Sequence, residues 1–489
     1  MRKLYNFLVL LIFFFGAAPD LILGTTGDKK IKPGRNPSSI TIAQADNTKN
    51  QSDEEDEDEE EQDEDVKLNV DVPDMKKISE QNNSNSSGDE KTLQFQGEFH
   101  SWIAGGIKEK DNNAFYFNMN RLQFQLTHMF KSVTFFFKGN ARYNTLYNND
   151  QDQYLRGENL RLDMKEAYIN YESTPGSFLK QFNLIMGIQT VNWGKADEMR
   201  PTDIISPQDM TLFVLEGRND RKLGRFAFKT QFFFDEAFRF EAIWLPIQRN
   251  SEITMDNDSI FTPPAFITMS QYMTINNIVL PEKKLSHSDV ALKTYLKLFE
   301  IDFSFSFFNG YDPLPYSLVT SSVTPILNRV TMWGFDFEKV IGSFVVRGEA
   351  AYFSKGRLFS ISPMTNSALY GKHGSDGLVE KEYIDITIGF DKNDFFIQKM
   401  YLNIQYSMNY IVDFEDGLTT RFGTKLKETN HLILWDIFYE WSNSTYKIEI
   451  AGNYSITHKD FLINPSFHLK LGLQTKMILG AYLFGGDID

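Results

Sequence analysis

Beyond its first ninety residues, the chain is dominated by short stretches in which apolar and polar residues alternate. In residues 401–410, Leu402 and Ile404 fall on one face, and Asn403 and Gln405 fall on the other. A period of two is typical of a β-strand with one apolar and one polar face. The same alternation recurs in residues 290–298, 383–391 and 446–454.

The connections between these stretches alternate between short and long. Short turns are predicted near Lys131, Asp235–Glu236, Phe299–Glu300, Lys339–Gly342 and Ser442–Ser444. Long polar connections are predicted at about 144–160, 193–222, 247–287, 311–327, 355–379 and 413–429. An antiparallel membrane barrel has short turns at one end and long loops at the other, whereas a soluble β-sandwich has no reason for this asymmetry. The pattern predicts an all-β fold, a transmembrane antiparallel up-and-down β-barrel of about 16–18 strands.

Composition agrees with a lipid-facing sheet. The 489 residues include 44 Phe and 21 Tyr, although the mean hydropathy is −0.35. Phe on alternate strand positions suits a surface that faces lipid between aromatic girdles. The chain contains no cysteine, which excludes disulfides, thiolate catalysis, cysteine metal sites and a lipoprotein anchor.

The N-terminus predicts export. Arg2 and Lys3 precede an apolar run from Leu4 to Ala18 that ends in small residues, the layout of a secretory signal peptide, which we place at residues 1–24. The run is shorter than the ~20 residues of a spanning helix. An uncleaved N-terminal anchor is the alternative. The predicted location is the Gram-negative outer membrane, after Sec-type export.

Residues 25–90 have no hydrophobic periodicity and are predicted to be a disordered acidic and polar linker. Segment 53–65 holds twelve acidic residues, and without them the net charge of −15 falls close to zero. The segment is interpreted either as a solvated spacer or as a docking site for a basic periplasmic partner or divalent cations. No basic patch indicates binding to nucleic acid. The barrel is assigned to residues 91–489.

The end of the barrel leaves two interpretations open. The pattern gives about 17 strands, an odd number, and the last of them spans 476–485. Bacterial barrels of a single chain have an even number of strands. Either one strand is miscounted or the chain lacks its closing strand.

A charged segment interrupts the pattern between two strands. It leaves the strand at Trp193-Gly194, is stiffened by Pro201 and Pro207, and ends before Leu223. Inside a barrel such a loop can fold into the lumen, so residues 186–221 are a candidate internal constriction. The candidate pore residues are Trp193, Lys195, Asp197, Arg200, Asp203, Asp209, Arg218 and Arg221. Two interpretations compete: the charges pair and fasten the loop to the wall, or unpaired cations attract an anionic solute.

The same region resembles a family of poorly characterised Gram-negative outer-membrane barrels, related in style to the alginate-export and phosphate-type porins. The matching residues are Met186–Gly194, Ala196-Asp197, Pro201–Asp203, Pro207–Asp209, Arg221–Gly224 and Trp244–Pro246, with Pro465–Phe467 and Leu479–Phe484 near the end. The resemblance implies an outer-membrane location and a porin-like barrel, and in that family one further strand usually follows the last of these segments. It implies no particular substrate.

Other chemistry is weakly supported. Asn148, Asp150, Asp152 and Glu158 offer oxygen ligands, but the glycine of an EF-type calcium loop is absent, so a solvated polar loop is the preferred interpretation. His287 and His468 lie beside serines without forming a nucleophile elbow. No catalytic residues, metal site or cofactor are predicted.

These observations predict a channel for a small solute, with the lipid bilayer of the outer membrane as its surroundings. Two alternatives remain: a surface structural or adhesive barrel with a plugged lumen, and an export component for polymer or lipid whose acidic segment docks a periplasmic partner.

Overall fold

The structure of the protein, a computed structural model, describes residues 7–17, 92–107, 115–144, 160–176, 178–211, 216–253, 267, 270–319, 321–361, 367–373, 377–472 and 474–486. The predicted linker with its acidic segment 53–65, and the connection carrying Asn148, Asp150, Asp152 and Glu158, lie outside these residues.

Strands make up most of the described chain, as the alternation predicts. They are β1 Phe7–Ala17, β2 Thr92–Ile107, β3 Phe115–Phe130, β4 Val133–Asn144, β5 Leu160–Ser173, β6 Gln181–Gln189, β7 Arg225–Phe233, β8 Phe238–Leu245, β9 Asp289–Leu298, β10 Ile301–Tyr311, β11 Tyr316–Val319, β12 Val323–Ile326, β13 Arg329–Ile341, β14 Phe344–Lys355, β15 Leu358–Ile361, β16 Leu378–Glu380, β17 Tyr383–Lys392, β18 Met400–Ile411, β19 Leu418–Thr419, β20 Thr429–Trp441, β21 Tyr446–Ser455, β22 Phe461–Lys470 and β23 Thr475–Gly485. Short helices in the described part of the chain include α1 Arg218–Arg221 and α2 Ser367–His373, and a 3₁₀ turn covers Leu285–His287. Among the described residues, no helix has the length and apolar character to cross a membrane.

The large sheet has 18 strands, and each pairs antiparallel with the next along the chain. The short strands β11, β12, β15, β16 and β19 stand outside it in two small sheets between the long connections. Strand β1 pairs with both β2 and β23, so the sheet closes into a ring. The fold class and the range of 16–18 strands are confirmed.

Strand β1 is formed by the apolar run of the predicted signal peptide. Its sequence, FLVLLIFFFGA, has no polar alternate positions, unlike the other strands of the ring. The remaining 17 strands match the count from the sequence pattern, and β2 and β23 are the two that border β1. Removal of the signal peptide on export stays a prediction.

Short and long connections alternate as predicted. Turns of a few residues join β3 to β4, β7 to β8, β9 to β10, β13 to β14 and β20 to β21. At the other end of the ring, long connections follow β4, β6, β8, β10, β14 and β18. The predicted short turns and long connections are confirmed within the described residues.

Burial in this ring is the reverse of that in a soluble protein. Outward-facing apolar side chains are exposed, including Leu162 at 74% and Trp333 at 55%. Inward-facing charged side chains are buried, including Arg142 and Asp336 at 0%. Transfer out of water lowers the free energy of apolar groups and raises that of unpaired charges. A ring with apolar groups outside and charged groups inside is therefore stable only when lipid surrounds it.

An apolar cluster fills part of the interior. It joins inward-facing residues of β7–β10, β13, β14, β17 and β18 to residues of the long connections, among them Trp193 and Ile205. Phe308, Val330 and Met332 in this cluster are fully buried. The interior is therefore packed on one side.

Candidate constriction site

The inserted loop, residues 190–224, connects β6 to β7 and folds into the interior of the ring; residues 212–215 within it lie outside the described part. Its root turns at Gly194, where φ is +83°. A Cβ atom at Gly194 would lie 2.3 Å from a carboxylate oxygen of Glu349. Glycine therefore permits both the backbone conformation and the close approach to the wall.

Glu349 on β14 is the principal wall contact of the loop root. Its carboxylate accepts hydrogen bonds from the backbone N–H groups of Lys195 at 3.1 Å, Ala196 at 3.3 Å and Thr202 at 2.7 Å. The Thr202 hydroxyl donates a fourth, at 2.7 Å. One wall carboxylate thus satisfies several loop donors that would otherwise be buried without partners.

Trp193 is an anchor of the root. The side chain is 1% exposed, and its indole N–H donates to Glu241 Oε1 on β8 at 2.9 Å. The Lys293 ammonium lies 5.5 Å from the ring centroid. In this position the indole is covered by the wall and the loop.

The first charged residues of the loop contact the wall on one side of the ring. Asp197 accepts hydrogen bonds from Asn403 at 2.6 Å and Gln405 at 2.9 Å on β18, and its carboxylate lies 3.6 Å from Arg347 on β14. Lys195 lies 3.7 Å from Glu338 on β13.

Arg200 bonds within the loop. Its Nε donates to the carbonyl oxygens of Ala196 at 2.5 Å and Asp197 at 3.0 Å. Its guanidinium therefore closes the turn that carries Lys195 and Asp197.

Asp203 holds the two halves of the loop together. Its carboxylate lies 2.6 Å from Lys222 Nζ and 3.2 Å from Arg218 Nε. Burial by itself raises the pKa of Asp203, but the Lys222 ammonium and the Arg218 guanidinium outweigh it and hold that pKa below its ordinary value. The carboxylate is therefore ionised at neutral pH.

Asp209 fastens the loop to the opposite wall. Its carboxylate lies 2.6 Å from Arg142 Nη2 on β4 and accepts a hydrogen bond from the Thr211 hydroxyl. Burial alone raises the pKa of Asp209, but Arg142 and that hydrogen bond reverse the shift and place the pKa well below its ordinary range. Glu216 forms a second bond to this wall, 2.7 Å from Arg121 on β3.

An arginine row on the wall receives these carboxylates. Arg121, Arg142 and Arg161 are register partners across β3, β4 and β5. Each of the three faces an acid of a long connection. Arg121 faces Glu216, Arg142 faces Asp209, and Arg161 Nη2 donates to Glu252 Oε2 at 2.5 Å. The three adjacent guanidinium groups would repel one another without nearby carboxylates. The acids of the loops remove this repulsion, so the loops and the arginine row stabilise each other.

The exposed edge of the loop is α1. Arg218 Nη1 donates to the Glu198 carbonyl oxygen at 2.9 Å, and Asn219 and Asp220 are exposed. Arg221 interacts electrostatically with Tyr482 on β23. This edge therefore faces the part of the wall that the apolar cluster does not cover.

A closed antiparallel ring with an apolar exterior surrounds a charged loop fastened to its inner wall. The protein is a transmembrane antiparallel up-and-down β-barrel. In such a barrel the inserted loop lies in the lumen, where charged groups are tolerated.

Solved outer-membrane porins are similar to the chain in structure. OmpF of Salmonella typhi, in a complex with daunomycin, has a TM-score of 0.40 at 10% identity, covering 82% of this chain and 99% of that chain. OccAB1 of Acinetobacter baumannii has a TM-score of 0.43 at 8% identity over 81% and 95% of the two chains. The outer-membrane channel DcaP of Acinetobacter baumannii has a TM-score of 0.38 at 12% identity over 82% and 99%. No protein-family model and no curated protein sequence matches the chain.

All eight candidate pore residues lie in the inserted loop, but their partners were only partly anticipated. Arg218 pairs with Asp203 inside the loop, whereas Asp197, Asp209 and Lys195 pair with the wall. The wall partners were missed in the sequence. Arg142 and Glu349 occupy inward-facing strand positions, where a charged residue needs a partner, and that signal could have selected them. Among the described residues, no group of acids and histidines could hold a metal ion.

Proposed function

We propose that the protein is an outer-membrane channel for a small solute, with residues 186–221 as its internal constriction. The observation that carries the proposal is the inserted loop, which crosses the lumen between two fastened ends. Asp197 holds it to β18 on one side, and Asp209 and Glu216 hold it to β4 and β3 on the other. Because both ends of the loop are bound to the wall, the loop stays in the lumen and narrows the passage.

The loop favours a small anionic solute. Lys195 keeps 22% side-chain exposure while it lies 3.7 Å from Glu338, and Arg200 is bound only to neutral backbone carbonyls within the loop. Arg218 stands on the exposed edge, and Arg221 lies buried beside it, at 9% exposure. The Arg218 side chain keeps 16% exposure while it pairs with Asp203. A guanidinium that faces water in a narrow passage attracts anions and repels cations.

A plugged surface barrel is the second candidate, and the apolar cluster inside the ring favours it. Nineteen buried residues of the described chain form that cluster, and a packed interior leaves less room for a passage. The two candidates differ in conductance, since a plugged barrel folds and inserts without conducting.

The double variant Arg218→Ala/Arg221→Ala tests the selectivity. With both guanidinium groups removed, we expect the reversal potential in a salt gradient to move toward cations, because Asp220 and Glu198 remain on the same edge. The measurement is made on purified full-length protein in a planar bilayer. A matched control is Lys283→Ala/Lys284→Ala, which removes two cations that are exposed on another long connection. An unchanged reversal potential in the arginine variant would contradict the proposed role of the loop.

A further inference from the structure

The inner wall of the barrel differs sharply between its two sides. On β9, β10, β13 and β14, inward-facing side chains are covered by the inserted loop and the long connections. Ser304 and Phe308 are 0% exposed, Met332 is 0% and Glu349 is 2%. Polar and apolar residues are buried alike on this side. Their burial is therefore due to the loop and the long connections that cover them, and not to the type of residue.

Strands β21–β23 carry inward-facing side chains that stay partly accessible. Lys447 and Glu449 on β21 each retain 18% side-chain exposure. Ala451 on the same strand, Ser466 on β22 and Tyr482 on β23 are half-buried. None of these five residues belongs to the apolar cluster.

The accessible wall carries a polar cluster that includes both signs of charge. Glu449 lies 3.0 Å from Lys447 and 2.8 Å from His468. Ser466 Oγ lies 2.8 Å from His468 Nε2, the same nitrogen that faces Glu449. A relay for nucleophilic catalysis needs the acid and the hydroxyl on different imidazole nitrogens, so the cluster suits hydrogen bonding to a passing solute and not hydrolysis.

The exposed edge of the inserted loop faces this wall. The loop is fastened to β3 and β4 at one end and to β18 at the other, and β20–β23 lie in the ring between these attachments, on the side away from the apolar cluster. Opposing groups on the loop and on β20–β23 are therefore within reach of one solute.

We infer that the solute path is an off-centre crescent between α1 of the inserted loop and the inner faces of β21–β23, with Lys447, Glu449, Ser466 and Tyr482 as its wall. The inference rests on the proposed channel function and adds the position of the path. The lumen beside β9–β14 is closed to solute. Selectivity in this arrangement depends on one wall and one loop edge and not on the whole circumference.

Single cysteines locate the path without interference, since the chain has no cysteine of its own. Ala451→Cys and Ser466→Cys place a thiol on the accessible wall, and Ser304→Cys is the matched control on the covered wall. The probe is a negatively charged methanethiosulfonate, added to full-length protein that conducts in a planar bilayer. Folding is confirmed by heat-modifiable electrophoretic mobility, and the Ser304→Cys thiol is titrated again after unfolding.

We expect the reagent to lower the conductance of Ala451→Cys and Ser466→Cys, and to leave Ser304→Cys unchanged until it is unfolded. Reduction of the conductance in folded Ser304→Cys, or none in either accessible-wall variant, would overturn the position of the path while leaving the channel function standing. Absence of conductance in the unmodified protein would overturn both.

Discussion

Replacing Arg142 with alanine is expected to lower the free energy of unfolding of the barrel by about 3–5 kcal/mol. Arg142 is 0% exposed and pairs with Asp209 at 2.6 Å and Asp163 at 2.8 Å. Without the guanidinium, two carboxylates stay buried with less compensation, and the loop loses its strongest bond to β4. Equilibrium unfolding in urea, in the presence of lipid vesicles, measures the change.

The matched control for Arg142 is an exposed ion pair. Lys284 lies beside Glu282, with both side chains about two-thirds exposed. We expect Lys284→Ala to change the free energy of unfolding by no more than about 0.5 kcal/mol. If Arg142→Ala were as mild as this control, the bond between the arginine row and the loop would not be a stabilising element.

Replacing Glu349 with alanine is expected to give a larger and noisier single-channel conductance. The substitution removes the acceptor for four hydrogen bonds from the loop root. A typical hydrogen bond of this kind contributes about 0.5–1.5 kcal/mol. The root would then leave the wall more often, and the constriction would widen.

Glu382→Ala is the control for this effect. Glu382 is exposed at the long-loop end, where it accepts a hydrogen bond from Tyr352, and it has no hydrogen bond to the described residues of the inserted loop. The Glu382→Ala substitution should leave the single-channel conductance and the current noise unchanged. A Glu349→Ala channel with native conductance and noise would mean that the loop does not limit the flow.

Much of the fold could be predicted from the sequence because each strand carries its own signal. Alternation locates each strand, as at 401–410, and the run of connection lengths orders the strands around the ring. Strand β1 could not be predicted, since FLVLLIFFFGA has no alternation and reads as the core of a signal peptide. Its place is defined only by the two neighbours, β2 and β23, that it pairs with.

The site could be predicted only in outline. Trp193-Gly194, the prolines and the interleaved charges identify the loop, but the sequence does not show which wall residue each charge meets. Glu349 is separated from Lys195 by 154 positions, and Arg142 from Asp209 by 67. Such pairings depend on how the ring closes, which no local pattern encodes.

The central claim is tested most directly by single-channel recording of the purified full-length protein in a planar bilayer, with a salt gradient across the membrane. A channel narrowed by the inserted loop should open in discrete steps with a reversal potential that favours anions. Correctly folded and inserted protein that passes no current would contradict the claim and would indicate a plugged barrel.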